Sequence, residues 1–327
     1  MKRRALLANG LAAGISIATL PVRARQAGRI YRVGWLSPAD ETSVRSTLLK
    51  ALRELGWIGG DNIVFDVRGA AGQLERLPAL AAGLVAGNVD AIVAVAPAAI
   101  RAAKQATTRI PIVMAFWGGP DLVESGIVAS YARPGGNVTG IHMLQIVLEA
   151  KRMELLHKAV PQARKVAVLV MDRRLAEPQL PPVVAVARQN GLELHVVATL
   201  ESANGYDGAF EAIVRSGAQA LLVMSSPRFT RDRKLIIALA ARHRIPAVYD
   251  WGDTAREGGL MAYGASLDEL ERHVAGYLDK VLKGAPPGDL PIQQPTQFEF
   301  VVNLSTAKAL GLTIPHALLL SANQVTQ

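Results

Sequence analysis

Short apolar runs along this chain alternate with longer stretches whose apolar residues recur every three or four positions. The runs at 31–37, 62–67, 91–95 and 110–116 are rich in Val, Ile, Ala and aromatic residues. That length and composition predict buried strands. Between them, 47–55, 74–85 and 98–107 read as helices, with Leu74, Leu77, Leu80 and Leu84 on one face of the second. A short helix over 122–132 and a strand over 138–141 complete the first half. The plan then restarts. Helices are predicted over 148–159, 182–190, 206–216, 231–243 and 267–282, and strands over 165–171, 194–199, 220–224, 247–249, 260–263 and 297–303. A short helix at 305–310 leads to the tail.

Strands alternating with helices in units of about 30 residues predict parallel sheets covered by helices on both faces. The break at Arg133-Pro134-Gly135-Gly136-Asn137 falls at the midpoint, and Gly258-Gly259 and Pro286-Pro287 interrupt the second half. These three breaks suit crossings between two α/β lobes. The division expected is 28–137 with 256–285 for the first lobe and 138–255 with 286–327 for the second. Gly135, Gly136, Asn137, Gly258 and Gly259 are the hinge candidates, because glycine reaches backbone angles closed to other residues.

The N-terminus changes this picture. Lys2, Arg3 and Arg4 precede an apolar stretch over 5–20 that ends at Pro21, with small residues at Ala24 and Ala27. This is the pattern of a secretory signal peptide, assigned to 1–27. The 327 residues carry a formal charge of +9; a cut after Ala24 removes Lys2, Arg3, Arg4 and Arg23 and leaves 9 − 4 = +5. The remaining charge is spread out, with no basic block of the kind that tracks phosphates, so nucleic acid is not expected as a partner. There is no cysteine, which removes disulfides, thiolate metal sites and a lipid-carrying cysteine. The expected product is a soluble, unlipidated periplasmic protein.

In parallel sheets, ligands bind beyond the carboxyl ends of the strands. Ser37 and Asp40 follow the first strand, Pro97 and Ala98 the third, and Trp117, Gly118 and Asp121 the fourth. In the second half, Asp172 follows the strand at 165–171, Ser225 and Ser226 the strand at 220–224, and Asp250 and Trp251 the strand at 247–249. Three of the four tryptophans, Trp35, Trp117 and Trp251, lie at such ends. They either line a cleft for an organic ligand or cap the sheet core. The carboxylates of Asp121, Asp172 and Asp250 either cap the next helix or receive a ligand ammonium, with Ser37, Ser225 and helix amides taking a carboxylate. Tyr263, on the strand at 260–263, completes the ligand-binding set.

Catalytic patterns are thin. There is no Gly-x-Ser-x-Gly elbow and no P-loop, and the first strand runs into Trp35-Leu36-Ser37-Pro38 instead of a dinucleotide fingerprint. The six histidines are scattered, and Glu154 and His157 read as a solvated helix face. Neither an enzyme, a cofactor nor a metal is expected.

Several stretches resemble one family. They include Val89-Asp90-Ala91-Ile92-Val93, Ala103-Lys104-Gln105-Ala106-Thr107-Thr108 with Ile110-Pro111-Ile112-Val113, and Arg133-Pro134-Gly135-Gly136-Asn137-Val138-Thr139-Gly140. Gly258-Gly259-Leu260-Met261-Ala262-Tyr263-Gly264, Pro295-Thr296-Gln297-Phe298-Glu299-Phe300 and Thr306-Ala307-Lys308-Ala309-Leu310-Gly311 continue the match. Together they resemble ABC-transporter substrate-binding proteins of the tryptophan/tyrosine-binding type. The resemblance implies a type I periplasmic-binding fold, with two Rossmann-like lobes joined by three crossovers and a ligand in the cleft between them. It implies a monomeric receptor with an inner-membrane ABC permease as partner. Its best-known ligands are aromatic amino acids. The chain departs from the family's pattern at Met171-Asp172-Arg173-Arg174, Ser225-Ser226-Pro227-Arg228 and Gly118-Gly119-Pro120-Asp121, so a related small carboxylate or amide fits as well. The competing readings are a ligand-sensing domain of a regulatory system and an α/β enzyme working in the same cleft. The first lacks an attached output module, and the second lacks an acid–base pair.

Overall fold

The computed structural model describes residues 29–39, 44, 46–143, 145–199 and 204–327; the expected signal peptide and Asp40 lie outside them. The first half contains β1 (Tyr31–Ser37), α1 (Ser46–Glu54), β2 (Ile63–Gly69), α2 (Leu77–Ala86), β3 (Ala91–Val95), α3 (Ala96–Ala106), β4 (Ile112–Trp117) and β5 (Val138–His142). Next come α4 (Gln145–Ala159), β6 (Lys165–Val170), α5 (Arg173–Ala176), α6 (Leu180–Gln189), β7 (Glu193–Ala198), α7 (Tyr206–Arg215) and β8 (Ala220–Val223). They are followed by α8 (Pro227–Arg231), α9 (Arg233–Arg242), β9 (Ala247–Tyr249), α10 (Gly252–Arg256), β10 (Met261–Ala265) and α11 (Leu267–Leu282). The chain finishes with β11 (Phe298–Asn303), α12 (Leu304–Ala309), α13 (His316–Leu320) and β12 (Gln324–Thr326).

Two sheets result. The first is parallel, with the order β2-β1-β3-β4-β5; the second has the order β12-β11-β10-β9-β8-β6-β7, in which β10 and β11 pair antiparallel. Every residue of β3 and of β8 is buried. Strands covered on both faces have no solvent side, which is why these two read as unbroken apolar runs. Leu48 and Leu52 of α1 join Leu270, Val274 and Leu278 of α11 on one face of the first sheet. Leu84 of α2 and Ile100 of α3 cover the other face with Leu36, Ile92 and Met114. The second sheet is covered by α4 and α6 on one face and by α7 and α9 on the other.

The chain passes between the lobes three times: between His142 and Gln145, between Ala265 and Leu267, and between Gln293 and Phe298. These are not the breaks expected from the glycines. β5 belongs to the first sheet, where Ile112 pairs with Val138 and Val113 with Thr139. The boundary expected at 137/138 therefore cuts between two paired strands. Gly140 makes this pairing possible: at φ 133°, a Cβ there would sit 2.3 Å from the Met114 carbonyl oxygen. Conversely, α10 and β10 lie with the second sheet, although 256–265 was expected in the first lobe. The segment around Pro287 also stays with the first lobe, where Thr139 Oγ1 donates to the Leu290 carbonyl at 2.8 Å and the His142 amide to the Gln293 carbonyl at 2.9 Å.

The five hinge candidates accordingly sit inside lobes. Gly135 and Gly136, both at φ 65°, form the tight loop before β5. Asn137 Nδ2 pins that loop to the Thr107 and Ile110 carbonyls at 3.0 and 2.9 Å. Gly258, at φ 118°, and Gly259 turn the chain from α10 into β10, and a Cβ on Gly259 would meet the Tyr249 ring at 2.7 Å. Each of these glycines is needed, but for a turn or a close approach within one lobe. The helix expected over 122–132 is a single turn, with the Ser125 amide on the Asp121 carbonyl at 2.9 Å, and it stops at Gly126, whose φ is 65°.

Candidate functional site

The carboxyl ends of β1, β3 and β4 meet those of β8 and β9 across a cleft with two chambers. The first, about 300 Å³, is lined by Trp35, Ala96, Pro97, Phe116 and Gly118 from the first lobe and by Ser225, Ser226, Thr230, Arg231, Arg233, Asp250 and Trp251 from the second. Met143, Gln145 and Leu267, beside the first two crossings, close its base. The second chamber, about 340 Å³, shares Ala96, Pro97, Gln179, Ser225, Ser226 and Pro227 with the first and adds Ala98, Arg101, Met171, Asp172, Arg174, Met224 and Phe229. A larger hollow of about 550 Å³ holds Lys151, Tyr263, Phe298 and Phe300. Its walls all come from the second lobe, so movement of the lobes cannot open or close it.

The apolar walls depend on local backbone geometry. The pairing of β4 with β5 shifts register between Met114 and Trp117, and within this irregularity Phe116 has φ 65°. A bulge resets the two-residue alternation of a strand. Phe116 consequently turns into the cleft, while Trp117 is fully buried in the core of its lobe. There the Trp117 indole N–H donates to the Pro120 carbonyl at 2.7 Å. Trp117 was expected to line the cleft; it caps the sheet core, and its neighbour does the lining. Ala96, just past β3, also has φ 65°. Two non-glycine residues in the left-handed region, both on one cleft wall, are the kind of strain that accumulates at binding sites. From the opposite wall, Trp251 donates its indole N–H to Thr230 Oγ1 at 3.1 Å and packs against the core of the first lobe.

The polar base is made by the second lobe. Asp250 follows β9 and is 9% exposed. Its backbone is fixed by a close approach, since a Cβ on Gly264 would lie 1.9 Å from the Asp250 carbonyl oxygen. Burial pushes its carboxyl up to about 6; Arg152 and the Ser225 hydroxyl oppose the rise, and Glu149 adds to it. Ser225 Oγ is buried beside this carboxyl without a well-formed hydrogen bond. Arg152 is committed elsewhere, paired with Glu149 at 2.7 Å with both side chains at most 1% exposed. Each member of the pair is also tied to its surroundings. Glu149 Oε1 accepts from Gln145 Nε2 at 3.3 Å and from the Ser225 amide at 3.0 Å, and Arg152 Nε donates to the Tyr263 carbonyl at 2.7 Å. One buried network thus links the base of the cleft to the helix after the first crossing and the strand before the second.

Trp35, Gly118, Asp250 and Trp251 line the first chamber, Ala98 and Asp172 the second, and Pro97, Ser225 and Ser226 both. Gly118 does so because it approaches Gln145 closely; a Cβ would meet Gln145 Oε1 at 2.8 Å. The other expected residues serve the fold. Ser37 Oγ accepts from the Ala39 amide at 3.1 Å in the turn after β1. Asp121 Oδ1 accepts from the Val123 and Glu124 amides at 2.8 and 3.0 Å, which with the Tyr131 hydroxyl holds its carboxyl below the usual range. Tyr263 stacks on Phe298, with centroids 6.3 Å apart, away from the cleft. Phe116, Gln145, Gln179, Arg231 and Arg233 line the cleft without having been anticipated. Only Phe116 carried a signal, its place beside Trp117 at the end of an apolar run. Among the described residues no cluster of three or more histidines and carboxylates suits a metal ion, and no helix is long and apolar enough to cross a membrane.

A tyrosine-binding protein of Clostridioides difficile (strain R20291) is 26% identical over 265 residues, covering 81% of this chain and 75% of that protein. A structure described as the ABC domain in complex with L-Trp, from Streptococcus pneumonia, superposes with a TM-score of 0.78 at 23% identity, over 90% of this chain and 99% of that one. A conserved domain protein of Vibrio cholerae gives 0.80 at 23% identity, over 91% and 100%. These superpositions show the shared two-lobe fold of type I periplasmic-binding proteins. Residues 37–326 match the family described as ABC transporter substrate binding protein, and with that match over nearly all of the described chain, the protein belongs to this family.

Proposed function

We propose that this protein is an extracytoplasmic receptor of an ABC importer, without catalytic activity, that binds an aromatic amino acid or a closely related small carboxylate or amide in the first chamber. One observation carries the reading: aromatic faces from both lobes meet over a buried carboxylate, Asp250, and Arg152, the arginine that favours its charged form, is already paired with Glu149. A ligand ammonium supplies the missing positive charge, and its ring lies against Phe116, Trp251 and Trp35. Its carboxylate faces the start of α3 at Pro97 and Ala98, where the first turn has no side-chain cap. The names of the C. difficile relative and the L-Trp-bound structure support this ligand class.

Because the ligand touches both lobes, it binds the closed arrangement more tightly than the open one and shifts the equilibrium towards it. The lobes pivot on the three crossings near Met143, Ser266 and residues 294–297. The closed form is what the inner-membrane permease engages, after export directed by residues 1–27. The test is thermal unfolding of the purified protein with L-tyrosine, L-tryptophan and a panel of other amino acids. A rise in Tm confined to aromatic amino acids or their close relatives is expected. A flat response across the panel at millimolar concentration overturns the receptor reading.

A further inference from the structure

We propose that the natural ligand is larger than one amino acid: a dipeptide with an aromatic N-terminal residue, whose second residue fills the second chamber and whose terminal carboxylate meets Arg101 and Arg174. The proposal rests on the receptor reading above. The two chambers share lining residues from both lobes, including Pro97 and Ser225, so they adjoin along those residues. A single amino acid held by Asp250 places its carboxylate at that junction and leaves the second chamber to solvent. Yet the floor of the second chamber is apolar, built from Met171, Met224 and Phe229. Covering such a floor with an aliphatic side chain is favourable, and methionines adapt to its shape.

The rim of the chamber is cationic. The Arg101 guanidinium stands 5.0 Å from the centroid of the Trp117 ring, and that ring is fixed by its bond to the Pro120 carbonyl. Arg101 is thereby positioned without being neutralised, as no carboxylate pairs with it among the described residues. Arg174 is 90% exposed and 3.9 Å from Asp172, a carboxylate whose Oδ1 already accepts the Arg174 amide at 2.8 Å. A ligand whose carboxylate extends past the junction meets guanidinium donors suited to it.

The test is calorimetric titration of the purified full chain with L-tyrosine, L-tyrosyl-L-leucine and the C-terminal amide of that dipeptide. The dipeptide is expected to bind roughly tenfold tighter than tyrosine, with the amide losing most of the gain. In Arg101→Gln the dipeptide is expected to bind no more tightly than tyrosine does. Tyrosine binding as tightly as the dipeptide overturns the extension and leaves the receptor reading standing. A dipeptide affinity indifferent to both amidation and Arg101→Gln overturns the anionic end. Failure of all three compounds to bind, in a protein stabilised by another member of the amino-acid panel, overturns the extension; the receptor reading itself falls only with a flat response across that panel.

Discussion

Phe116 and Trp251, carried by different lobes, meet edge to face with ring centroids 6.2 Å apart and planes at 69°. Each ring is positioned by its own lobe, Phe116 by a positive φ in a bulged strand and Trp251 by its bond to Thr230. Their contact therefore exists only while the lobes stand close. Phe116→Ala and Trp251→Ala should each weaken an aromatic ligand by about 10- to 100-fold, as expected for anchors buried in a closing site. Thr230→Val, which removes only the hydroxyl that orients Trp251, should cost less. Titration calorimetry on the three variants gives the order, and an unchanged affinity in Phe116→Ala shows that the ring is elsewhere.

The raised carboxyl of Asp250 sets the pH behaviour. Its folded value of about 6 lies above that of an unfolded aspartate. The contribution to stability is therefore full below about pH 4 and is lost as pH rises through about 6. The ligand-free protein carries a penalty at pH 7, which an ammonium ligand relieves. Asp250→Asn should make the ligand-free protein more stable at pH 7 by on the order of 1–3 kcal/mol in urea unfolding, while greatly weakening ammonium ligands. Affinity for tyrosine should rise from pH 5 to pH 7 in the parent and stay level in the variant. A parent affinity that falls over this range removes Asp250 as the ammonium partner.

The Glu149–Arg152 pair offers a double-mutant test. Removing one member strands a buried charge, so Glu149→Gln or Arg152→Met alone should cost on the order of 3–5 kcal/mol of unfolding free energy. Replacing both together should cost markedly less than the sum, because neither charge is left alone. The Ser225 amide and the Tyr263 carbonyl lose charged partners in these variants. Even a stable double variant should therefore bind ligand less tightly, as shown by comparing Kd with the urea midpoint. Additive single costs would show that the two charges act independently.

Much of the architecture was legible from the sequence. Both sheets, most of their strands and the long helices come from apolar periodicity, because burial on two faces leaves only apolar runs. Pro97, Ala98, Ser225, Asp250 and Trp251 were legible too, since each sits just past the carboxyl end of a parallel strand. The crossings were not. Gly135, Gly136, Gly258 and Gly259 signal a change of chain direction, and sequence does not distinguish a turn within a lobe from a passage between lobes. The real crossings, around Met143, Ser266 and residues 294–297, have no glycine. Trp117 and Phe116 exchanged roles for a similar reason, since one irregularity in the β4–β5 pairing inverts which side chain faces out.

The sequence by itself determined the α/β class, the presence of two lobes and the sheet edge that borders the cleft, since these depend on periodicity and local chain order. Only the tertiary structure decided which strand joins which sheet, where the chain crosses between the lobes and which aromatic enters the cleft. It alone placed Asp250 beside an arginine already held by Glu149. Those outcomes depend on contacts between residues far apart in the chain, such as Gly140 against Met114 and Phe116 against Trp251. No local pattern carries that information, because each contact forms only when packing brings distant segments together.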